Sequence, residues 1–362
     1  MLGLALSLAL AAPAAQGSSL PPPPRALYTQ SWKRDLAVPA MGEWHPNEPG
    51  APVYDPVTKL VVVGTRNGWL HALRDDGSIA WQFLGAGAFA AEPLVDGDTV
   101  YVGCNDGRLY AIALATGHEK WHYEAKEQLG TKPSLANGIL YVASLQDTVF
   151  AVDAATGAWK WHYRREPRDG FTIFGAASVA VADGLVHAGF SDGTVVGLEV
   201  ATGALRWERH AGPAGTYMDV DSVLVSGGKL YAAAFSGAVV ALEAATGKPL
   251  WQYETPEPAQ LGLAPGALVV VSTTSIMALS LVDGRLLWTT PLRGTAAGQP
   301  RLAGKWLVVP AGLGGLRFLD ASNGRVVRSL ETGSGASGPV TVYGKRAWLL
   351  SNDGRLFAAR LE

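Results

Sequence analysis

One cysteine, Cys104, stands in a chain of 362 residues. A single thiol excludes an intrachain disulfide, a CxxC zinc site and a haem attachment motif. At the end of a predicted strand it reads as a buried, inert side chain. Charge is scarce too: Asp, Glu, Lys and Arg make up 17% of the chain, with a net charge of −2. A nucleic-acid binder would carry a basic stripe, and that balance argues against one. There is no HExxH, no GxSxG and no Walker-type glycine loop. The seven histidines are scattered, and His122 and His162 recur in the same place of successive repeats, which marks them as structural. The Asp-Gly pairs lack the liganding spacing of a calcium loop and read as turns. The sequence therefore offers no catalytic residue, no metal ligand set and no expected cofactor.

The apolar run Leu2 to Leu10 is too short to span a bilayer. With Ala12-Pro13-Ala14 as a small-residue cleavage site, residues 1–17 read as a secretory signal, although without Lys or Arg ahead of the run. No Cys follows as a lipid acceptor. Residues 18–26, which include Pro21-Pro22-Pro23-Pro24, read as a stiff extended linker. The expectation is an exported, periplasmic, unlipidated chain that folds over residues 27–362.

What the chain has in quantity is one phrase, rewritten. Its clearest copy runs Asn105-Asp106-Gly107-Arg108-Leu109-Tyr110-Ala111-Ile112, then Ala115-Thr116-Gly117, then Trp121. The turn glycines fall at 77, 117, 157, 203, 247, 284 and 324, in steps of 40, 40, 46, 44, 37 and 40. A period of roughly 40 built of short strands is the mark of a β-propeller. Asn-Asp-Gly between apolar runs supplies the positive φ that a tight hairpin needs. The strand after it is apolar on both sides, as a strand buried on both faces should be. Trp32, Trp81, Trp121, Trp161, Trp207, Trp251 and Trp288 then fall on the last strand of each unit, where a large ring can wedge between neighbouring blades. Arg328 stands where the seventh unit should have its Trp.

Residues 27–37 look like a final blade strand with no blade before it. Residues 339–361 hold three strand-like runs and stop short of a fourth. Joining the two completes a last blade and closes the ring, which removes exposed sheet edges. The expected fold is all-β, an eight-bladed propeller of four-stranded blades, or seven blades if one weak unit is degenerate.

In such a blade the connection to the next blade lies on the same face as the second hairpin. The two long steps in the period place extra residues in consecutive connections, within 164–174 and 213–221. Phe171, Ile173, Phe174, Tyr217 and Met218 are apolar anchors there, rimmed by Arg168, Asp169, Asp219 and Asp221. Apolar anchors in a charged rim are the composition of a protein-binding patch. The alternative is that these loops tuck over the blades and bind nothing. A third long connection, residues 40–48, opens on the same face.

The phrase Ala154-Ala155-Thr156-Gly157…Trp161 resembles the pyrroloquinoline-quinone (PQQ)-type propeller repeat. The quinoprotein dehydrogenases that share it hold PQQ and calcium in the axial funnel. The chain also resembles the outer-membrane assembly factor BamB family, eight-bladed scaffolds of the β-barrel assembly machinery. Met218-Asp219-Val220-Asp221-Ser222 is similar to that family's Asp-Val-Asp segment. Phe171-Thr172-Ile173-Phe174-Gly175 falls at its Leu-x-Leu-Arg-Gly segment, with Phe174 in place of Arg. The resemblance implies a non-enzymatic, monomeric protein scaffold, with Phe171, Ile173, Phe174, Asp219 and Asp221 contacting the barrel-forming partner and no nucleic acid bound. The alternative it leaves open is a PQQ-dependent dehydrogenase or small-ligand binder using the funnel.

Overall fold

A computed structural model describes residues 27–37, 47–165, 177–212, 219–235, 237–255, 259–292 and 298–362. Among these residues there is no helix, only eight antiparallel four-stranded sheets arranged as a propeller. In chain order, blades one to seven span residues 53–84, 94–124, 134–164, 180–210, 220–254, 260–291 and 301–330. Blade eight combines residues 341–361 with the N-terminal strand Tyr28–Asp35. The chain thus forms the eight-bladed ring that the repeat implies.

The N-terminal strand joins as a true outer strand. It pairs from Tyr28↔Leu361 to Asp35↔Arg355 and slips register between Gln30 and Trp32, one residue before its Trp. In blade two the outer strand slips in the same place, with Ala111↔Trp121 followed by Ile112↔Glu119. A bulge of this kind sharpens local twist and re-aims the next side chain, here an indole directed at the neighbouring blade.

The core is not one mass. Buried apolar residues fall into eight clusters, one at each seam between neighbouring blades. The second and third strands of each blade supply most of them, because both faces of those strands are covered. In blade two, for example, every residue of Thr99–Gly103 is buried.

Indole rings finish each seam. A Cβ placed on Gly77, Gly117, Gly157, Gly203, Gly247, Gly284 or Gly324 would fall within 3 Å of Trp32, Trp81, Trp121, Trp161, Trp207, Trp251 or Trp288 respectively. Each indole therefore lies flat on the turn glycine of the following blade. The N–H of Trp81 donates to the Leu114 carbonyl at 2.7 Å, and that of Trp207 to the Ala244 carbonyl at 3.0 Å. The exception is Arg328. Blade eight has no third-to-outer-strand turn, since its outer strand comes from the other end of the chain, so no turn glycine faces position 328.

Candidate interaction face and axial mouth

The antiparallel order of each blade puts its second hairpin and the described inter-blade connections at one end of the ring. The connections that carry Phe171, Ile173, Phe174, Tyr217 and Met218 lie outside the described residues. Asp219 and Asp221 are described, at the start of the inner strand of blade five. Val220 pairs with Ala234 and Ser222 with Ala233, so Asp221 is bulged out of the ladder. It lines an axial cavity of about 540 Å³.

Asp219 is not a rim charge. Its side chain sits in a residue only 5% exposed, and its carbonyl accepts from Phe235 N–H at 2.7 Å. Burial first, then the nearby charges of Asp221 and Asp147, push its carboxyl up to about 7. Burial raises Asp221 to about 6. Neither carboxylate has a cationic partner among the described residues. A desolvated carboxylate without a counter-charge favours its protonated form, and a basic group supplied from outside would reverse that preference.

The adjacent hairpins are tightly tied. Asp147, at a positive φ of 60°, accepts from Ser191 N–H at 2.9 Å and from the Ser191 hydroxyl. Arg165, the last described residue before the 166–176 connection, donates to Asp192 and makes a two-pronged pair with Glu208 at 3.0 and 3.1 Å. The root of that connection is therefore fixed by charge-assisted bonds of the stronger kind. Beside Asp219 stands Phe235, 42% exposed, in a hairpin where blade two has Asn105-Asp106. An aromatic ring at a turn position where blades two and eight have Asn105 and Asn352 was the available signal for it.

The axial mouth is crossed by a three-way bridge. Glu92, leading into blade two, accepts from Lys132, leading into blade three, and from Arg301 of blade seven at 2.8 Å. These groups come from distant parts of the sequence and close on one carboxylate. A calcium-held quinone does not suit this mouth. Glu92 is already engaged by two cations, and among the described residues no three metal-ligating side chains converge. Cys104 is fully buried, donates to the Gly87 carbonyl at 3.2 Å and has its thiol pushed up to about 12 by burial.

The family profile described as outer membrane protein assembly factor BamB matches residues 29–131, 66–290 and 239–362. The chain belongs to that family. The crystal structure of BamB from Moraxella catarrhalis superposes with a TM-score of 0.78 at 21% identity, covering 92% of this chain and 100% of that one. The quinohemoprotein alcohol dehydrogenase from Comamonas testosteroni gives 0.74 at 14% identity, over 92% of this chain and 76% of that one. A computationally designed protein, Ika8, gives 0.71 at 17% identity, over 91% of this chain and 100% of that one. At these identities the likeness establishes the fold alone. No curated protein matches the chain by sequence.

Proposed function

We propose that this chain is a non-enzymatic, periplasmic interaction scaffold in outer-membrane β-barrel protein assembly. The observation that carries the reading is the pair Asp219 and Asp221, two carboxylates raised by burial, without a cation among the described residues, with Asp221 lining the axial cavity. The BamB family profile and the position of the Asp-Val-Asp segment support the same reading. The rigid ring holds the site; a basic side chain of the partner enters beside Asp221 and pairs with the two acids; Phe235 supplies an apolar contact next to them. Phe171, Ile173 and Phe174 belong to the same proposed contact. Complementary charge of this sort governs encounter rate and specificity more than raw affinity.

The test is retention of the barrel-forming assembly protein from solubilised membranes. Asp221→Arg and the milder Asp219→Asn should each reduce retention while leaving the melting temperature no lower than that of the parent. Full retention by both would remove the site assignment.

A small-ligand reading rests on the axial cavity. Calorimetry with PQQ and calcium separates the two: micromolar binding would favour the ligand, and no heat would favour the scaffold.

A further inference from the structure

The end of the ring opposite the connections carries the inner hairpin of every blade, and its composition is lopsided. In blades seven, eight and one these turns present Lys305, Lys345 and Lys59, all exposed. In blades two to six the same turns read Gly97-Asp98, Asn137-Gly138, Asp183-Gly184, Gly227-Gly228 and Pro265-Gly266. Lys229, beside the fifth of the eight turns, is drawn inward to the Leu281 carbonyl at 2.7 Å. Among the inner turns, three consecutive blades out of eight therefore hold the outward-facing lysines.

Those lysines are also uncommitted. Lys120, Lys132 and Lys160 each pair with a carboxylate. Among the described residues Lys59, Lys305 and Lys345 do not; Lys305 lies 4.7 Å over the Trp306 ring. Of the carboxylates near them, Asp55 is engaged by Thr58, Asp75 by Arg346 at 2.7 Å, and Asp320 by Ser322, although Asp320 still feels the charge of Lys305; Glu362, which lines one recess with Lys345, offsets part of that lysine's charge. Between the lysines stand two apolar groups open to solvent, Val57 at 87% and Tyr343 at 51% exposure. The inner strands of blades seven, eight and one pack side by side, and Tyr343 lies 5.3 Å from Tyr54 across the seam. Leu27, where the chain enters the ring, accepts from Glu362 N–H at 3.0 Å at this same end.

We propose that the inner-turn face of blades seven, eight and one, through Lys59, Lys305 and Lys345 with Val57 and Tyr343, docks on an anionic phospholipid surface. Lysine is a compact point charge suited to headgroup phosphates. Specific carboxylate recognition would call for a free guanidinium fork, and the fork here, Arg346, is tied to Asp75. Hairpin tips projecting small apolar and aromatic groups between lysines match the chemistry of the headgroup boundary. The overall charge of −2 means that attraction must come from this sector and not from the molecule as a whole. The proposal is independent of the partner-binding reading, which concerns the other end of the ring.

The experiment is flotation of the full chain with vesicles of phosphatidylethanolamine and phosphatidylglycerol, compared with phosphatidylcholine vesicles, at low and high salt. The parent should float with the anionic vesicles at low salt and much less at high salt. Each lysine near an anionic surface contributes about fivefold in binding, so the triple variant K59E/K305E/K345E, which also places three repelled charges there, should lose at least about a hundredfold. Lys248→Glu, at an outer turn of blade five on the same face, should lose less than a few-fold. Parent and variants share residues 1–26, so any contribution from that segment cancels. Equal flotation of parent and triple variant overturns the proposal, as does an equal loss with Lys248→Glu. A triple variant that still floats but fails to capture an acidic protein would assign the face to a protein and likewise overturn it.

Discussion

Gly157 lies against the face of Trp121, so close that a methyl group on its α-carbon would sit 2.5 Å from the ring. Gly157 also has a φ of 71°, so it meets two demands at once: a left-handed turn and an indole stacked on its backbone. Gly138 has a similar φ of 75° but nothing within 4 Å of a Cβ. Gly138→Ala should therefore lower stability by about 1 kcal/mol, the backbone term alone. Gly157→Ala should lower it by about twice that or more, since the ring must also move. Trp121→Ala should remove about 3–5 kcal/mol. Denaturant titration of the three variants checks the order; equal effects at Gly138 and Gly157 would mean that the stacked ring contributes nothing.

Arg328→Trp offers the reverse test. It restores the missing letter of the repeat, but there is no turn glycine in blade eight for an indole to cover. The variant should gain no stability, within about 0.5 kcal/mol for a partly exposed site. A rise comparable to the value of a docking Trp would contradict the seam geometry.

His187 occupies the place held by Tyr101, Tyr141 and Tyr231 in other blades. Tyr141 reaches the Val200 carbonyl with its hydroxyl at 3.0 Å. The shorter imidazole leaves both ring nitrogens without a hydrogen bond of normal geometry, though the Ala182 backbone lies near enough to favour the charged form slightly. Burial lowers His187 from 6.5 to about 4. Its neutral form is the one the fold accepts, so stability is intact above 6.5 and declines as pH falls through that window toward 4. His187→Tyr should remove part of this acid loss, on the order of 3 kcal/mol by pH 4. His71, also lowered to about 4 by burial, accounts for a further share and stays in the variant. Unfolding titrations at pH 7 and pH 4.5 measure the difference.

Asp219 shifts in the opposite direction, with the opposite sign. Its carboxyl is raised to about 7, so it favours the fold while protonated, and that contribution is lost as pH rises from 4 through 7. Asp219→Asn should leave stability at pH 5 nearly unchanged and raise it at pH 8 by on the order of 3 kcal/mol. If the two acids receive a basic partner, the parent's affinity for it should rise with pH across the same interval, and the variant's should rise less, through Asp221 alone. An affinity that stays flat over the interval in which the parent's stability falls would separate the buried charge from the binding site.

The ring was readable because its determinants are local. Turn glycines, hairpin Asp-Gly pairs and the Trp four residues after the turn glycine lie within one short phrase, and seven copies narrow the blade count to eight or seven. The join of residues 28–35 to residues 341–361 followed from an orphan strand at one end and a three-stranded blade at the other. Burial of Asp219 could not be read this way, because it depends on Asp147 and on hairpins from other blades. Glu92 is a clearer case: its partner Arg301 lies 209 residues away, and no periodicity links them. Phe235 was missed since a single aromatic in a turn looks like a defect of the repeat until its 42% exposure is known.

The contact between Leu27 and Glu362 has a topological corollary. The two ends of the described ring are neighbours at 3.0 Å, and the blades they bracket are near-equivalent units. Bridging those ends with a short linker and cutting at an exposed turn such as Asn137-Gly138 would give a circular permutant with every seam retained. The order in which blades leave the ribosome would change, while the finished disc would not.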